Sequence, residues 1–178
     1  MRIAVSGTHG CGKSTVISDF LEACPEFEHE PEPFEWLDET PDVPGADSFF
    51  AQLRISVQRL QTYPAGVHVI AERCPLDFLA YLMALEELDR DNAAPELTRQ
   101  AWAMFPDAMR HVDVLTLVPI EERRPFPIPE SEDLQLRQSV DAILLELADD
   151  GDLVGERVSV AEVIGTRSER LSVILSLT

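Results

Sequence analysis

The feature that most constrains the fold of this chain is the stretch Gly-Thr-His-Gly-Cys-Gly-Lys-Ser at residues 7–14. Glycines at its first and sixth places, followed by Lys13 and Ser14, match the phosphate-binding pattern G-x-x-x-x-G-K-[ST]. Glycines there let the backbone fold into a nest whose N–H groups point at phosphate oxygens. Lys13 can reach the outer phosphates, and the Ser14 hydroxyl can ligate the Mg²⁺ that accompanies a nucleoside triphosphate. The residues predicted to contact the nucleotide are Gly7, His9, Gly10, Cys11, Gly12, Lys13, Ser14 and Thr15.

The residues on either side of this stretch have the pattern that a phosphate loop needs. Apolar residues 3–5 precede it as a short strand, and Val16, Ile17, Phe20 and Leu21 follow it at helical spacing. The loop therefore leads into the N-terminus of a helix, whose partial positive charge favours the same anion. Because strand, loop and helix come in this order, we predict that the chain binds a nucleotide.

Length and charge limit the partners of the chain. The 178 residues fit one domain, and no apolar run is long enough to span a bilayer. The three cysteines are scattered without metal-type spacing, which is typical of reduced thiols in a cytoplasmic protein. A net charge of −19 argues against nucleic-acid polymers and anionic membranes, because the overall field would repel them. We expect a small molecule as the partner, and a homodimer is compatible with the sequence.

Apolar segments and breakers alternate along the chain and predict five strands with helices between them. The strands are expected near residues 2–6, 67–71, 112–118 and 158–164, and a short second strand that runs into a loop is expected within residues 27–36. The helices are expected at residues 13–23, 47–61, 76–89, 131–149 (ended by Gly151) and 168–177, with a further helix that opens at Pro95 and is interrupted by Pro106. This alternation indicates an α/β protein with a doubly wound sheet, and residues 1–178 are predicted to form a single domain.

The phosphate loop occurs in GTPases, in motor and transport ATPases and in small-molecule kinases, so further residues must choose among them. Lys13 is the only lysine of the chain, which excludes the guanine-reading pattern [NT]-K-x-D. The chain is also too short for an AAA+ ATPase module with its separate helical lid domain. These exclusions favour phosphoryl transfer to a small molecule. The alternative is a nucleotide-dependent switch or binding module that uses ATP occupancy to control a partner and has no small-molecule acceptor.

Several residues outside the loop fit the needs of phosphoryl transfer, which are positioning and charge neutralisation. Glu72 ends the third predicted strand, close to the phosphate loop, and is a candidate Mg²⁺ ligand. Arg73 would orient the acceptor or pair with the base, and either Glu30 or Glu32 at the end of strand two would take the proton of the acceptor hydroxyl. We favour Glu32, because Pro33 holds it in an extended conformation. The alternative role for Glu30, which lies closer to the strand, is to pair with Arg73. The other candidates are Arg123, Arg124 and Arg137 to close over the transferring phosphoryl group, Gln52 to read a substrate ring, and Trp36 to stack on it.

Part of this set resembles known kinases. Glu72 and Arg73, followed by Cys-Pro-Leu-Asp and a helix, resemble the Glu-Arg-Ser or Asp-Arg motif of deoxynucleoside and thymidylate kinases. Residues 69–85 look still more like small bacterial kinases of the nicotinamide riboside kinase-like group. The resemblance covers nearly the whole chain at low similarity.

Two further segments carry the same resemblance. Glu30-Pro31 or Glu32-Pro33, together with Trp36, resembles the Glu-Pro-apolar…Trp element of deoxynucleoside kinases. Residues 165–170 look like the loop by which this superfamily cradles adenine, which implies that Arg167 contacts the nucleotide.

The resemblance implies a three-layer P-loop kinase fold, a five-stranded parallel sheet in the order 2-3-1-4-5, and a lid at residues 119–137. It also implies ATP and Mg²⁺ as cofactors, with the γ-phosphate of Mg-ATP transferred to a hydroxyl of a nucleoside, nucleotide or similar small metabolite. The expected lid has Glu-Glu-Arg-Arg at 121–124 and a proline-rich stretch in place of a dense basic run.

Overall fold

The computed structural model describes residues 1–38, 44–121 and 132–178 of the chain. Its strands are β1 (Arg2–Ser6), β2 (Glu28–Glu30), β3 (Val69–Glu72), β4 (Val114–Leu117) and β5 (Ser159–Glu162). Its α-helices are α1 (Lys13–Ala23), α2 (Ala46–Thr62), α3 (Pro75–Glu87), α4 (Ala94–Ala108), α5 (Leu134–Asp149), α6 (Gly151–Val154) and α7 (Arg167–Leu175), and 3₁₀ turns occur at Pro33–Trp36 and Met109–His111. Residues 122–131 of the predicted lid, including Arg123 and Arg124, lie outside the described residues, so the lid stays a prediction.

β1 is the central strand of a parallel five-stranded sheet with the order β2-β3-β1-β4-β5. Ala4 of β1 is paired with Ala71 of β3 on one side and with Leu115 of β4 on the other. β4 is buried throughout and β1 from its second residue on, as expected of apolar strands in a parallel sheet covered on both faces. The predicted sheet and its strand order are confirmed.

Successive side chains of β1 point to opposite faces of the sheet and enter two separate apolar clusters. Ile3 and Val5 pack on the face covered by α1 and α7, in a cluster that includes Phe20 and Ile174. Ala4 packs on the opposite face, which α2, α3, α4 and α5 cover with buried residues such as Leu53, Leu79, Phe105 and Val140. The predicted three-layer arrangement is therefore confirmed.

The strand order decides where the site can form. β1, β3 and β2 are parallel neighbours, so their carboxyl ends lie side by side at one edge of the sheet. The phosphate loop follows β1, Glu72 and Arg73 stand at the end of β3, and Glu32 follows β2 by two residues. Ligands of open parallel sheets bind at this edge.

The helices differ from the predicted ones in two places. The break expected at Pro106 is wrong, because α4 continues through this position to Ala108. A proline removes one backbone donor, and the burial of Phe105 and Ala108 against the core outweighs that loss. α5 does end at Asp149, but Gly151 then opens the short α6, whose first amides bond to the Asp150 carboxylate. No helix in the described parts of the chain combines the length and apolar character needed to cross a membrane.

Candidate active site

The phosphate loop connects β1 to α1 and depends on three glycines with positive φ. Gly7, Gly10 and Gly12 have φ angles of 149°, 66° and 97°. At Gly7 a Cβ atom would lie 2.5 Å from the carbonyl oxygen of Val118 and 2.9 Å from Cys11 Sγ, so no other residue fits there without a shift of the backbone. The Gly7 amide donates to Asp77 Oδ1 at 2.9 Å, which fixes the start of the loop to α3.

Lys13 is folded back into its own loop. Its Nζ atom donates to the carbonyl oxygen of Thr8 at 2.9 Å, and the side chain is buried. Burial lowers the pKa of the Lys13 ammonium, and the nearby Arg73 lowers it further. Because the charged form is disfavoured where it lies, Lys13 gains from a phosphate that arrives to neutralise it.

The other predicted loop residues differ in exposure. Cys11 is buried and its thiol donates to the carbonyl oxygen of Thr8 at 3.0 Å. Desolvation raises the pKa of this thiol, so it stays protonated near neutral pH. His9, Ser14 and Thr15 are exposed at the open side of the loop, where a nucleotide can reach them.

Ser14 and Glu72 form the pair that fits a magnesium ion. The Ser14 hydroxyl donates to Glu72 Oε1 at 3.0 Å, which joins the first turn of α1 to the end of β3. Mg²⁺ usually takes one or two protein oxygens and completes its shell with water and phosphate oxygens. Within residues 1–38, 44–121 and 132–178, no group of three or more His, Cys, Asp or Glu side chains has a metal-binding arrangement. The pair therefore suits an ion that arrives with its nucleotide.

Glu72→Gln is expected to weaken ATP binding by about 10-fold in the presence of Mg²⁺ and to leave metal-free ATP binding unchanged, since the amide loses the negative charge that favours the cation. The measurement is ATP affinity across a Mg²⁺ titration. Glu28→Gln, at an exposed position of β2, is the matched control and should behave like the parent. Equal affinities of the parent and Glu72→Gln at every Mg²⁺ concentration would remove Glu72 from the metal site.

Arg73 joins the phosphate loop to the segment after β2. Its Nη1 atom donates to the Gly7 carbonyl at 2.9 Å, its Nε atom donates to Glu32, and Asp77 Oδ1 lies 3.5 Å from Nη1. Arg73 also has a φ of 70°, a left-handed conformation that costs a non-glycine residue on the order of 1 kcal/mol. Burial alone would lower the pKa of this guanidinium, but the neighbouring Glu32 and Asp77 help hold it well above its ordinary value. Arg73 therefore keeps its charge in a buried place.

The two candidate bases occupy different environments. Glu32 contacts Arg73 and lines a cavity, and its side chain is 31% exposed. Burial would raise the pKa of the Glu32 carboxyl, but Arg73 and Lys13 outweigh burial and hold it below its ordinary value. Glu30 is buried instead against Arg59 and Tyr63. The alternative that Glu30 pairs with Arg73 is wrong, and of the two glutamates only Glu32 lines the cavity.

The cavity has a volume of about 480 Å³ and extends from the phosphate loop to α2, α3 and α5. His9 and Arg137 line its end near the loop, and the other lining residues include four aromatic rings (Phe34, Phe49, Phe78 and Tyr81) and the carboxylates of Glu32, Glu132 and Asp133. Two of these rings, Phe49 and Tyr81, are stacked with their centroids 4.3 Å apart. The Gln52 side chain is buried beside them, and its Nε2 atom lies 3.3 Å from Ser48 Oγ. A lining of aromatic rings with an amide beside them is chemically suited to a flat ring that has a polar edge.

Three of the predicted site residues have partners that sequence did not indicate. Arg137 is buried, lines the cavity and donates from Nε to the carbonyl oxygen of His9 at 2.8 Å. Arg167 forms a two-pronged ion pair with Asp19 of α1. Trp36 lies outside the cavity lining, with its ring against the Arg59 guanidinium. The roles predicted for Arg137, Arg167 and Trp36 stay predictions. The contact of Trp36 with Arg59 suggests a different role for this ring.

Two residues of the site were missed. Asp77 is fully buried and accepts hydrogen bonds from the Gly7 and Cys74 amides, which holds α3 against the phosphate loop. Its position, third in a helix that opens with proline, is the usual place for a carboxylate that caps a helix. Arg170 of α7 is buried and donates to the Cys11 carbonyl at 2.9 Å and to Glu121 at 2.6 Å. No local pattern distinguishes Arg170 from an exposed arginine.

Comparison with known proteins finds solved structures of similar fold and no match in sequence. No protein-family model matches the chain, and no curated protein sequence matches it. Among solved structures, the deoxyadenosine kinase of M. mycoides with bound dATP is 15% identical, with a TM-score of 0.68 over 99% of this chain and 98% of that chain. The thymidylate kinase of Candida albicans is also 15% identical, with a TM-score of 0.69 over 99% and 89%. The chain therefore has the P-loop kinase fold of the deoxynucleoside and thymidylate kinases.

Proposed function

We propose that this protein is a small-molecule kinase that transfers the γ-phosphate of Mg-ATP to a hydroxyl group of a nucleoside, nucleotide or similar ring-bearing metabolite. The observation that carries the proposal is the position of Glu32. Its carboxylate lies in a cavity lined with aromatic rings and is joined through Arg73 to the first glycine of the phosphate loop. A kinase needs a pocket with a base for its acceptor, whereas a switch that only binds and hydrolyses ATP does not.

Each residue of the site has a separate role in the proposed phosphoryl transfer. Lys13 and the loop amides hold the phosphates, and Ser14 with Glu72 would hold the Mg²⁺. When bound, that ion neutralises phosphate charge. Glu32 accepts the proton of the acceptor hydroxyl, and its lowered pKa keeps it ionised for this purpose at neutral pH. Arg73 orients Glu32, and Arg137 is close enough to the loop to contact a transferring phosphoryl group.

The solved structures of similar fold agree with an acceptor of this class. One was determined with bound dATP, and the other is a thymidylate kinase. At 15% identity they support the choice of metabolites to test first and do not identify the acceptor.

The test is a metabolite screen in two stages. Nucleosides, nucleotides and related ring-bearing alcohols are first screened for thermal stabilisation of the protein in the presence of a non-hydrolysable ATP analogue. Compounds that stabilise it are then assayed for acceptor-dependent ADP release with ATP and Mg²⁺. We expect ADP release to rise with at least one acceptor and the phosphorylated acceptor to accumulate in equal amount. ATP hydrolysis that no acceptor accelerates would contradict the proposal and favour the nucleotide-dependent switch.

A further inference from the structure

Arg59 of α2 contacts the chain on both sides of Glu32. On one side its Nε and Nη2 atoms donate to the two carboxylate oxygens of Glu30, at 2.9 and 3.0 Å. On the other side its guanidinium carbon lies 4.1 Å from the centroid of the Trp36 ring. Glu30 ends β2 and Trp36 ends the 3₁₀ turn, so one side chain contacts both ends of the segment 30–36.

Burial makes the contact with Glu30 a strong one. The Glu30 side chain is 5% exposed, and the Tyr63 hydroxyl donates to its Oε2 atom at 2.5 Å. Burial and this hydrogen bond to Glu30 raise the pKa of Tyr63 to about 12, so the hydroxyl keeps its proton. A two-pronged arginine–carboxylate pair joins charge-assisted hydrogen bonds with a fixed relative geometry of the two groups. A buried carboxylate held in this way stabilises one position of the backbone that carries it.

The segment between these two contacts has little freedom of its own. Pro31 and Pro33 flank Glu32, and a proline ring fixes its own φ and restricts the residue before it. After Glu32 the amide of Glu35 donates to the Glu32 carbonyl at 2.9 Å, and the amide of Leu37 donates to the Phe34 carbonyl at 3.3 Å. A short stiff segment moves as a unit, so contacts at its two ends determine where Glu32 lies.

We propose that Arg59 is a positioning residue, which holds the segment 30–36 through Glu30 and Trp36 and thereby places the Glu32 carboxylate at Arg73 in the acceptor cavity. This inference rests on the proposed function for its catalytic meaning, and its structural part can be tested separately. It gives Glu30 and Trp36 a shared role as partners of Arg59, in place of the base and the stacking ring that their sequence pattern suggests.

The central variant is Arg59→Gln, and Arg54→Gln is its matched control. Arg54 lies on the same helix, is exposed, and has no hydrogen bond or ion pair within the part of the chain that the structure describes. We expect Arg59→Gln to lower kcat by about 10- to 100-fold through displacement of Glu32, with the affinity for ATP unchanged. Amide hydrogen exchange at Glu35 and Leu37 should become faster. Arg54→Gln should match the parent in all three measurements.

Three further variants separate positioning from a general loss of stability. Arg59→Lys keeps the charge without the two-pronged geometry and should recover part of kcat. Glu30→Gln should lower kcat less than Arg59→Gln, because it releases one end of the segment. Removing Arg59 alone leaves the Glu30 charge buried without its partner. The double variant Glu30→Gln/Arg59→Gln removes both charges. If Arg59→Gln does not fold, the double variant is measured instead, and the same decrease in kcat is expected.

Two results would overturn the proposal. One is amide exchange at Glu35 and Leu37 that is as slow in the Arg59 variant as in the parent. The other is faster exchange with kcat within twofold of the parent, because Glu32 would then keep its position without Arg59. If the parent and Arg54→Gln both lack acceptor-dependent ADP release, the proposed function has failed, and the exchange rates still decide whether Arg59 fixes the segment.

Discussion

Lys13→Ala is expected to lower acceptor-dependent turnover by roughly 10³-fold or more, because Lys13 is the loop's cation for the transferring phosphoryl group. The stability of the ligand-free protein should change little. The ammonium is buried and its pKa is lowered, so the folded protein already bears a cost for its charge. Loss of that cost offsets loss of the hydrogen bond to Thr8. The measurements are ADP release with a saturating acceptor and the melting temperature without ligand, which should stay within about 4 °C of the parent.

Lys13→Arg serves as the control for charge alone. A guanidinium keeps the positive charge but is bulkier and planar, so it does not reach the phosphate in the same way. We expect this variant to be nearly as inactive as Lys13→Ala. Turnover of Lys13→Ala within tenfold of the parent would remove the phosphate loop from the mechanism.

Glu32→Gln is expected to lower kcat by roughly 10²–10⁴-fold, because an amide cannot accept the proton of the acceptor hydroxyl. The affinity for ATP should persist, because Glu32 lies in the acceptor cavity and forms its hydrogen bond with Arg73, which in turn bonds to the phosphate loop. The measurements are acceptor-dependent ADP release and ATP binding in the same preparation. Since the pKa of Glu32 is held below its ordinary value, the activity of the parent should persist to a lower pH than an ordinary glutamate base would allow.

Glu35→Gln is the matched control for this substitution. Glu35 lies on the 3₁₀ turn that directly follows Glu32 and is exposed, so the same chemical change there should leave kcat unchanged. Full activity of Glu32→Gln would remove the base at the end of β2 from the mechanism. It would also shift weight to the nucleotide-dependent switch.

The fold was predictable because its determinants are local. The apolar residues of β1 and β4, the glycines of the phosphate loop and the Pro-led start of α3 each specify their own element. An alternating series of strands and helices then leaves few ways to form a parallel sheet. The strand order came from resemblance to known kinases, and the sheet confirms it.

The site was less predictable because its partners are distant in the chain. Glu30 and Glu32 both precede a proline, and the sequence cannot say that Arg59 takes one and Arg73 the other. Those two arginines lie 29 and 41 residues away from their glutamates. Trp36 is a similar case, because an aromatic residue beside a candidate base predicts substrate stacking, and the sequence gives no sign of the Arg59 guanidinium on its ring. The residue types were indicated by the sequence, whereas their pairing depends on packing.

The contact between Arg170 and Cys11 has a consequence for how the phosphate loop forms during translation. The guanidinium of Arg170 bonds to the Cys11 carbonyl across 159 residues of sequence. α7 is synthesised after the phosphate loop, with a delay of roughly ten to thirty seconds at ordinary rates of translation. During that interval the loop lacks the hydrogen bond that Arg170 donates to the Cys11 carbonyl. The phosphate loop is therefore made well before the contact with Arg170 that completes its support can form.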